Sequence, residues 1–162
     1  MWIKSIDWAD ESAKEADVIV TDGNNSIICF SCPCNYCNGD TINEPLECLD
    51  VENIILADGS YNIERIRDYE HIVCGKMKDI TNGIVEIGEI ILHINNEKIP
   101  KDINNNDMIK FYISRVDLYW NAIDYKMWQR TVLCHIKIAK AGGGVTTLYS
   151  YDEEGRLRYE WV

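Results

Sequence analysis

Apolar and polar residues alternate with a period of two along most of this chain, which is typical of β-strands that bury one face. In residues 17–21, Val18 and Val20 occupy every second position, and residues 27–30 form a second apolar run. Asp22 and Gly23 stand between the two runs. Because an Asp-Gly pair favours the positive backbone angles of a tight turn, this stretch predicts a β-hairpin.

Further alternating runs, separated by turn-forming residues, continue to the end of the chain. They cover residues 46–56, 71–80, 84–94, 108–120 and 132–138. The run 84–94 is predicted to be a strand pair, or one bent strand, around Gly88, with Ile90, Leu92 and Ile94 on one face. Residues 146–162 predict a last hairpin with residues 152–155 at its tip.

These patterns predict a mostly β protein, built as a small antiparallel barrel or sandwich with hairpins. Helix is expected in at most two short segments. The first is residues 10–15, with Asp10 as a candidate N-cap, and the second is residues 122–130 around Trp128.

A chain of 162 residues fits a single domain over 1–162. Its net charge of −11 is unevenly distributed, because residues 1–70 contain 15 carboxylates and four basic residues, whereas the rest is balanced. A candidate sub-division therefore falls near residues 60–70. It would separate an acidic β-hairpin part, 1–66, from a small barrel-like part, 67–162.

The charge and hydropathy of the chain also bear on its partners. Nucleic acids and anionic membranes require a basic surface, so neither is an expected partner. No apolar run approaches the 18 or so residues of a membrane helix, and the first residues lack the apolar core of a signal peptide. We therefore expect a cytoplasmic protein, in a compartment that disfavours structural disulfides.

Four of the seven cysteines fall in one stretch of nine residues, at Cys29, Cys32, Cys34 and Cys37. Zinc usually takes its ligands from two separated short-spaced pairs, whereas here the pairs interlock and Pro33 stiffens the middle. The preferred interpretation is small apolar residues at a strand end and turn, with no metal bound. A metal site on these four cysteines is the alternative.

Catalytic groups do not form a recognisable set in the sequence. His93 and His135 fall on outward faces of their strands, and His71 lies on the face opposite Cys74. The glycine-rich residues 141–147 lack the Gly-Lys-Ser/Thr ending of a phosphate-binding loop. We therefore expect a protein that is not an enzyme and has no cofactor.

The acidic first part of the chain contains the candidate surface for a partner. Its residues are Trp8, Asp10, Glu11, Glu15, Asp17 and Asp22. A tryptophan among carboxylates is a typical anchor for a protein interface, and the carboxylates would attract a basic partner.

Several stretches resemble a group of small bacterial β-rich proteins of unknown function, and the resemblance covers residues of about 5–118. They include "IDWADESAKEADVIVTDG", "CFSCPCNY" and "GIVEIGEIILHINNEKIPKD". A second pattern is similar to the closing strands of OB-like barrels and consists of Pro100, Asp102, Ile103, Asp107, Ile109 and Phe111. The stretch "YSYDEEGRL" resembles one YD repeat of bacterial polymorphic toxins, and a likeness to toxin-associated immunity proteins follows from it.

Three functions are compatible with these observations. The first is a non-enzymatic bacterial interaction protein, an acidic immunity or inhibitor protein that binds a basic partner such as a toxin domain. The second is a small OB-like β-barrel that binds a ligand. The third is a metal-binding protein that uses the cysteine cluster, or a metal-dependent or thiol enzyme if the cysteines converge with a histidine. We favour the first, because the negative charge is concentrated and no catalytic set is present.

Overall fold

The computed structural model describes residues 1–119, 147–151 and 157–161. The chain divides into two compact units, Met1–Trp120 and Asn121–Val162. The first unit contains eleven strands that belong to one sheet. In chain order these are β1 (Trp2–Asp10), β2 (Glu15–Thr21), β3 (Ser26–Ser31), β4 (Leu46–Leu49), β5 (Glu52–Leu56), β6 (Asn62–Arg67), β7 (Glu70–Asp79), β8 (Ile84–Ile87), β9 (Ile90–His93), β10 (Met108–Ile113) and β11 (Arg115–Asp117).

The second unit contributes two described strands, β12 (Thr147–Tyr151) and β13 (Leu157–Trp161), which pair antiparallel. The two strands of the predicted last hairpin are therefore confirmed. The predicted helix at 122–130 and the predicted strand at 132–138 lie outside the described residues.

The sheet of the first unit is an open path rather than a closed ring. Its strand order is β1-β2-β3-β11-β4-β9-β8-β7-β10-β5, and β6 pairs with β7 beside this path. Most pairs are antiparallel, but β11 pairs parallel with β3 and β4 pairs parallel with β9. The mostly β prediction is confirmed, whereas the described strands do not close into the predicted barrel.

The predicted helix at 10–15 is wrong, because β1 and β2 form an antiparallel hairpin across these residues. Asp10 does cap a turn, as expected of an N-cap, but the turn connects two strands. Its Oδ1 accepts hydrogen bonds from the backbone N–H of Ser12 at 2.8 Å and of Ala13 at 3.1 Å. Lys14 then adopts a φ of 56°, which returns the chain into β2 instead of continuing a helix.

The alternation predicted for β2 and β3 is confirmed. Ala16, Val18 and Val20 are buried on one face of β2, and Ile27 and Cys29 are buried on β3. These side chains join a continuous core to which β7, β8, β9 and β10 also contribute. We call the face of the sheet turned away from this core the outer face.

Three other predicted runs are each divided into two strands. Residues 46–56 form β4 and β5, with Asp50 and Val51 between them. Residues 84–94 form the hairpin β8–β9, in which Gly88 adopts a φ of 62°, and Ile90, Leu92 and Ile94 are buried together as predicted. The run 108–120 is divided at Ser114, after which β11 leaves β10 and pairs with β4 and β3.

The stretch considered as a sub-division, near residues 60–70, is occupied by the hairpin β6–β7. β6 pairs with β7 from Asn62 opposite Cys74 to Arg67 opposite Glu70. β7 continues into pairings with β8 and β10. The boundary between the two compact units follows Trp120. The single domain and the candidate sub-division near residues 60–70 stay predictions.

No helix in the described ranges is long and apolar enough to cross a membrane.

Candidate functional site

A row of polar and aromatic residues crosses the outer face of the sheet from β1 to β9. Its members lie opposite one another on consecutive strands of the sheet, and we call them the outer row: Asp7, Asp17, Phe30, Asp117, Glu47 and His93. On β2, β3, β11, β4 and β9 the neighbours of these residues along the strand are buried in the core, because successive side chains in a strand point to opposite faces. Because alternate residues are buried in the core, the side chains of the outer row lie on the outer face of the sheet.

The β1–β2 end of the outer row places like charges directly opposite each other. Asp7 pairs with Asp17, and Asp10 pairs with Glu15 at the end of the hairpin. Such cross-strand pairs are unfavourable, each by a fraction of a kcal/mol up to about 1 kcal/mol. Within residues 1–119, no basic side chain lies within 4.0 Å of any of these four carboxylates. We call Asp7, Asp10, Glu11, Glu15 and Asp17 the acidic hairpin.

Asp17 is held by the turn between β6 and β7. The hydroxyl of Tyr69 donates a hydrogen bond to Asp17 Oδ1. Burial and the neighbouring Asp17 carboxylate raise the pKa of Tyr69 to about 12. The Tyr69 ring also contacts Phe30 edge to face, with ring centroids 6.3 Å apart. These contacts fix the Asp17 side chain at a defined position on the outer face.

The middle of the outer row contains a carboxylate that is almost fully buried. Asp117 is 5% exposed, and its two oxygens accept hydrogen bonds from Arg115 Nε at 2.7 Å and Nη2 at 3.0 Å. Tyr119 donates its hydroxyl to Asp117 Oδ2 at 3.2 Å. The hydrogen bond to Asp117 raises the pKa of Arg115. The Asp117 charge is therefore neutralised where it is buried, unlike the charges of the acidic hairpin.

Arg115 also connects Asp117, in the middle of the outer row, to the aromatic ring of Phe30. Its guanidinium carbon lies 5.1 Å from the centroid of the Phe30 ring, which is within the range of a cation–π contact. A chain of contacts thus runs from Asp17 through Tyr69, Phe30 and Arg115 to Asp117. The far end of the row holds a separate pair, in which His93 Nδ1 lies 2.5 Å from Glu47 Oε2.

The structure brings four of the six predicted surface residues into the acidic hairpin: Asp10, Glu11, Glu15 and Asp17. Trp8 lies opposite Ala16 on the core side of the hairpin, but near its end, where the Trp8 side chain remains 39% exposed. It is therefore at the rim of the surface and not within the outer row.

Asp22 does not belong to this surface. It lies at the other end of β2, roughly 20 Å along the strand from Glu15 at about 3.3 Å per residue. Its carboxylate accepts hydrogen bonds from the backbone N–H of Asn25 at 2.6 Å and of Glu89 at 3.0 Å. Asp22 therefore joins the β2–β3 turn to the β8–β9 turn, which is a structural role.

The four clustered cysteines are separated by the structure. Cys29 and Cys34 are buried in the core, whereas Cys32 and Cys37 are exposed. Burial raises the pKa of the Cys29 thiol, which keeps it protonated and unreactive. In the described ranges, no three His, Cys, Asp or Glu side chains converge as a metal site.

Among the histidines, His93 is on the outer face as predicted and His71 is buried. Burial lowers the pKa of His71, and its Nδ1 has no hydrogen-bond partner within the described structure. His135 lies outside the described residues. His93 is paired with a carboxylate, but the described surface around it contains no cysteine nucleophile.

Comparisons with known proteins returned no matching family model, no similar curated protein and no similar solved structure. The resemblance of residues of about 5–118 to small bacterial proteins, and the likeness of residues 100–111 to an OB-like barrel, therefore stay predictions.

Sequence reasoning missed several members of the site. Asp7, Glu47, Tyr69, Arg115 and Asp117 were not among the candidate residues. The alternation of "RVDLY" at 115–119 would have shown that Arg115, Asp117 and Tyr119 share a face. Their partners come from strands distant in sequence, and no local pattern indicates those pairings.

Proposed function

We propose that this is a non-enzymatic interaction protein that binds a basic protein partner through the acidic hairpin. The observation that carries this proposal is the placement of Asp7 opposite Asp17 and of Asp10 opposite Glu15. Like charges directly opposite each other oppose folding. Asp10 and Asp17 accept hydrogen bonds from uncharged groups, but no positive side chain within 4.0 Å in residues 1–119 offsets the repulsion. A local arrangement of charges that works against folding is typical of a binding surface.

The neighbouring contacts support the same interpretation. Asp17 is fixed by Tyr69, so its carboxylate is ordered before a partner arrives, which reduces the entropy lost on binding. Trp8, at the rim of the hairpin, is an exposed aromatic residue of the type that anchors interfaces. A basic partner would meet an acidic surface with an aromatic residue at its margin.

An acidic inhibitor that neutralises a basic toxin domain has this character, and we propose an immunity or inhibitor role of that kind. The partner would be a basic protein and neither nucleic acid nor an anionic membrane, since both would be repelled by the acidic hairpin. The six described cysteines are all free thiols, which favours a reducing compartment such as the cytoplasm.

The proposal is tested by affinity capture with two variants that lose the same charge. The hairpin variant carries Asp7→Asn, Asp10→Asn, Glu11→Gln, Glu15→Gln and Asp17→Asn. The control variant neutralises five exposed carboxylates elsewhere in the first unit and carries Asp58→Asn, Glu64→Gln, Glu89→Gln, Glu97→Gln and Asp102→Asn.

The wild-type protein and the control variant should retain the same basic protein from the lysate of the native host, and the hairpin variant should lose it. Quantitative mass spectrometry of the retained proteins measures the difference. Equal retention by all three proteins would contradict the proposal, and so would equal loss in both variants, because net charge alone would then explain the binding.

A further inference from the structure

A cleft of about 720 Å³ lies where β5, β7 and β10 meet, away from the acidic hairpin. Its volume is within the range of roughly 300–1,000 Å³ that small-molecule sites occupy. Ile55 and Ile72 contribute apolar side chains to its lining, and Tyr112 contributes a phenol. The lining thus combines apolar side chains with several polar and charged groups, both of which small-molecule sites use.

The sheet register explains how these residues meet. Tyr112 of β10 lies opposite Ile72 of β7 and opposite Glu52 of β5. Lys110, two residues earlier, lies opposite Ile55. The outward side chains of three adjacent strands therefore form one continuous surface, to which Lys98 from the short 3-10 helix Asn96–Lys98 is added.

The cleft carries two positive and two negative side chains that do not pair with each other. Lys98 and Lys110 line it together with Asp50 and Glu52. In the first unit as described, neither lysine lies within 4.0 Å of a carboxylate. Asp50 Oδ2 accepts a hydrogen bond from the Ser114 hydroxyl at 3.3 Å, and Lys98 Nζ lies 3.4 Å from the carbonyl oxygen of Val51. Both signs of charge thus remain available to a ligand.

We propose that this cleft binds a small apolar zwitterion, namely a short peptide with free amino and carboxyl ends. Its ammonium group would meet Asp50 and Glu52, and its carboxylate would meet Lys98 and Lys110. Its apolar side chains would cover Ile55 and Ile72. A ligand with one charge would satisfy one pair and leave the other pair unmatched, so the arrangement favours a ligand that carries both charges.

The test uses dileucine as the probe and NMR titration of the isotope-labelled full-length protein as the measurement. Dileucine should shift the amide resonances of β5 and β10 with a Kd near or below about 1 mM. N-acetyl-dileucine and dileucine amide, which each lack one terminal charge, should bind about tenfold more weakly or worse, because each loses charge-assisted hydrogen bonds. Diglycine should also bind more weakly, since it lacks the apolar side chains.

Matched variants localise the binding. Lys110→Met and Glu52→Gln remove one charge each from exposed positions in the cleft and should weaken dileucine binding by about tenfold. Lys101→Met changes an exposed lysine that does not line the cleft and should leave the Kd unchanged. The hairpin variant should also bind dileucine normally, so this inference and the proposed function can fail separately.

Two results would overturn the inference. One is the absence of shifts at the cleft up to millimolar dileucine. The other is equal affinity for dileucine and its two blocked forms, because the paired charges would then have no role. The comparison among ligands uses the wild-type protein and does not depend on whether any variant folds.

Discussion

Asp7 of β1 lies directly opposite Asp17 of β2 on the outer face of the sheet, and no basic side chain of residues 1–119 lies within 4.0 Å of either carboxylate. The Tyr69 hydroxyl binds Asp17, but it brings no positive charge. The repulsion between the two aspartates thus opposes formation of the hairpin, and the proposed binding of a basic partner would account for their placement.

Neutralising one member of this pair should stabilise the protein. Asp7→Asn removes the repulsion and keeps the shape of the side chain, so we expect the free energy of unfolding to rise by about 0.2–1 kcal/mol. Urea denaturation followed by far-ultraviolet circular dichroism measures this change. Asp58→Asn, an exposed residue outside the hairpin, should change stability by less than about 0.5 kcal/mol. A loss of stability in Asp7→Asn would contradict the repulsion.

Breaking the contact between buried Asp117 and partly exposed Arg115 should have the opposite effect. Asp117→Asn removes the charge that Arg115 and Tyr119 contact, and we expect a loss of about 1–3 kcal/mol in the free energy of unfolding. Arg115→Ala should destabilise the protein as well. A double-mutant cycle should give a coupling between the two positions, and strictly additive effects would show that they act independently.

Asp22 should make stability depend on pH in the acidic range. Burial opposes ionisation of Asp22, but hydrogen bonds from the backbone N–H groups of Asn25 and Glu89 outweigh it and hold the pKa at about 2. Because the folded-state pKa is below the unfolded value of 3.8, ionised Asp22 stabilises the fold above about pH 4. That contribution is lost as the pH falls from about 4 through 2.

Thermal unfolding measured from pH 7 to pH 2 should therefore show a smaller decline for Asp22→Asn than for the wild-type protein. Asp58→Asn serves as the control and should follow the wild-type curve. Identical pH dependence in the wild-type protein and Asp22→Asn would show that the two turns joined by Asp22 do not rely on its charge.

Local patterns were sufficient to predict the strands that have one clean buried face. β3 and β9 alternate strictly and β2 alternates as far as Val20, and each was predicted with the correct residues on one face. β1 was missed because its last four residues are all exposed, so no buried stripe is visible there. The helix predicted at 10–15 failed because Asp10 caps a strand-connecting turn as readily as a helix.

The site could be predicted only in part, because some of its residues come from strands that are far apart in the chain. Asp10, Glu11, Glu15 and Asp17 are close in sequence, so their clustering in one hairpin was predictable. Asp117, by contrast, reaches the outer row through parallel pairing of β11 with β3 and antiparallel pairing with β4. These pairings join segments far apart in the chain, and their register depends on the packing of the whole sheet.

The central claim is that the acidic hairpin attracts and binds a basic partner, and its most direct test is the association rate of the captured partner as a function of salt. Steering by exposed charges is screened beyond a Debye length of about 10 Å at 0.1 M salt. For the wild-type protein and the control variant, the association rate constant should therefore be high at low salt and fall steeply as salt rises. For the hairpin variant it should be low and nearly independent of salt. If the hairpin variant binds with the same rate constant and the same salt dependence as the control variant, the acidic hairpin is not the binding surface.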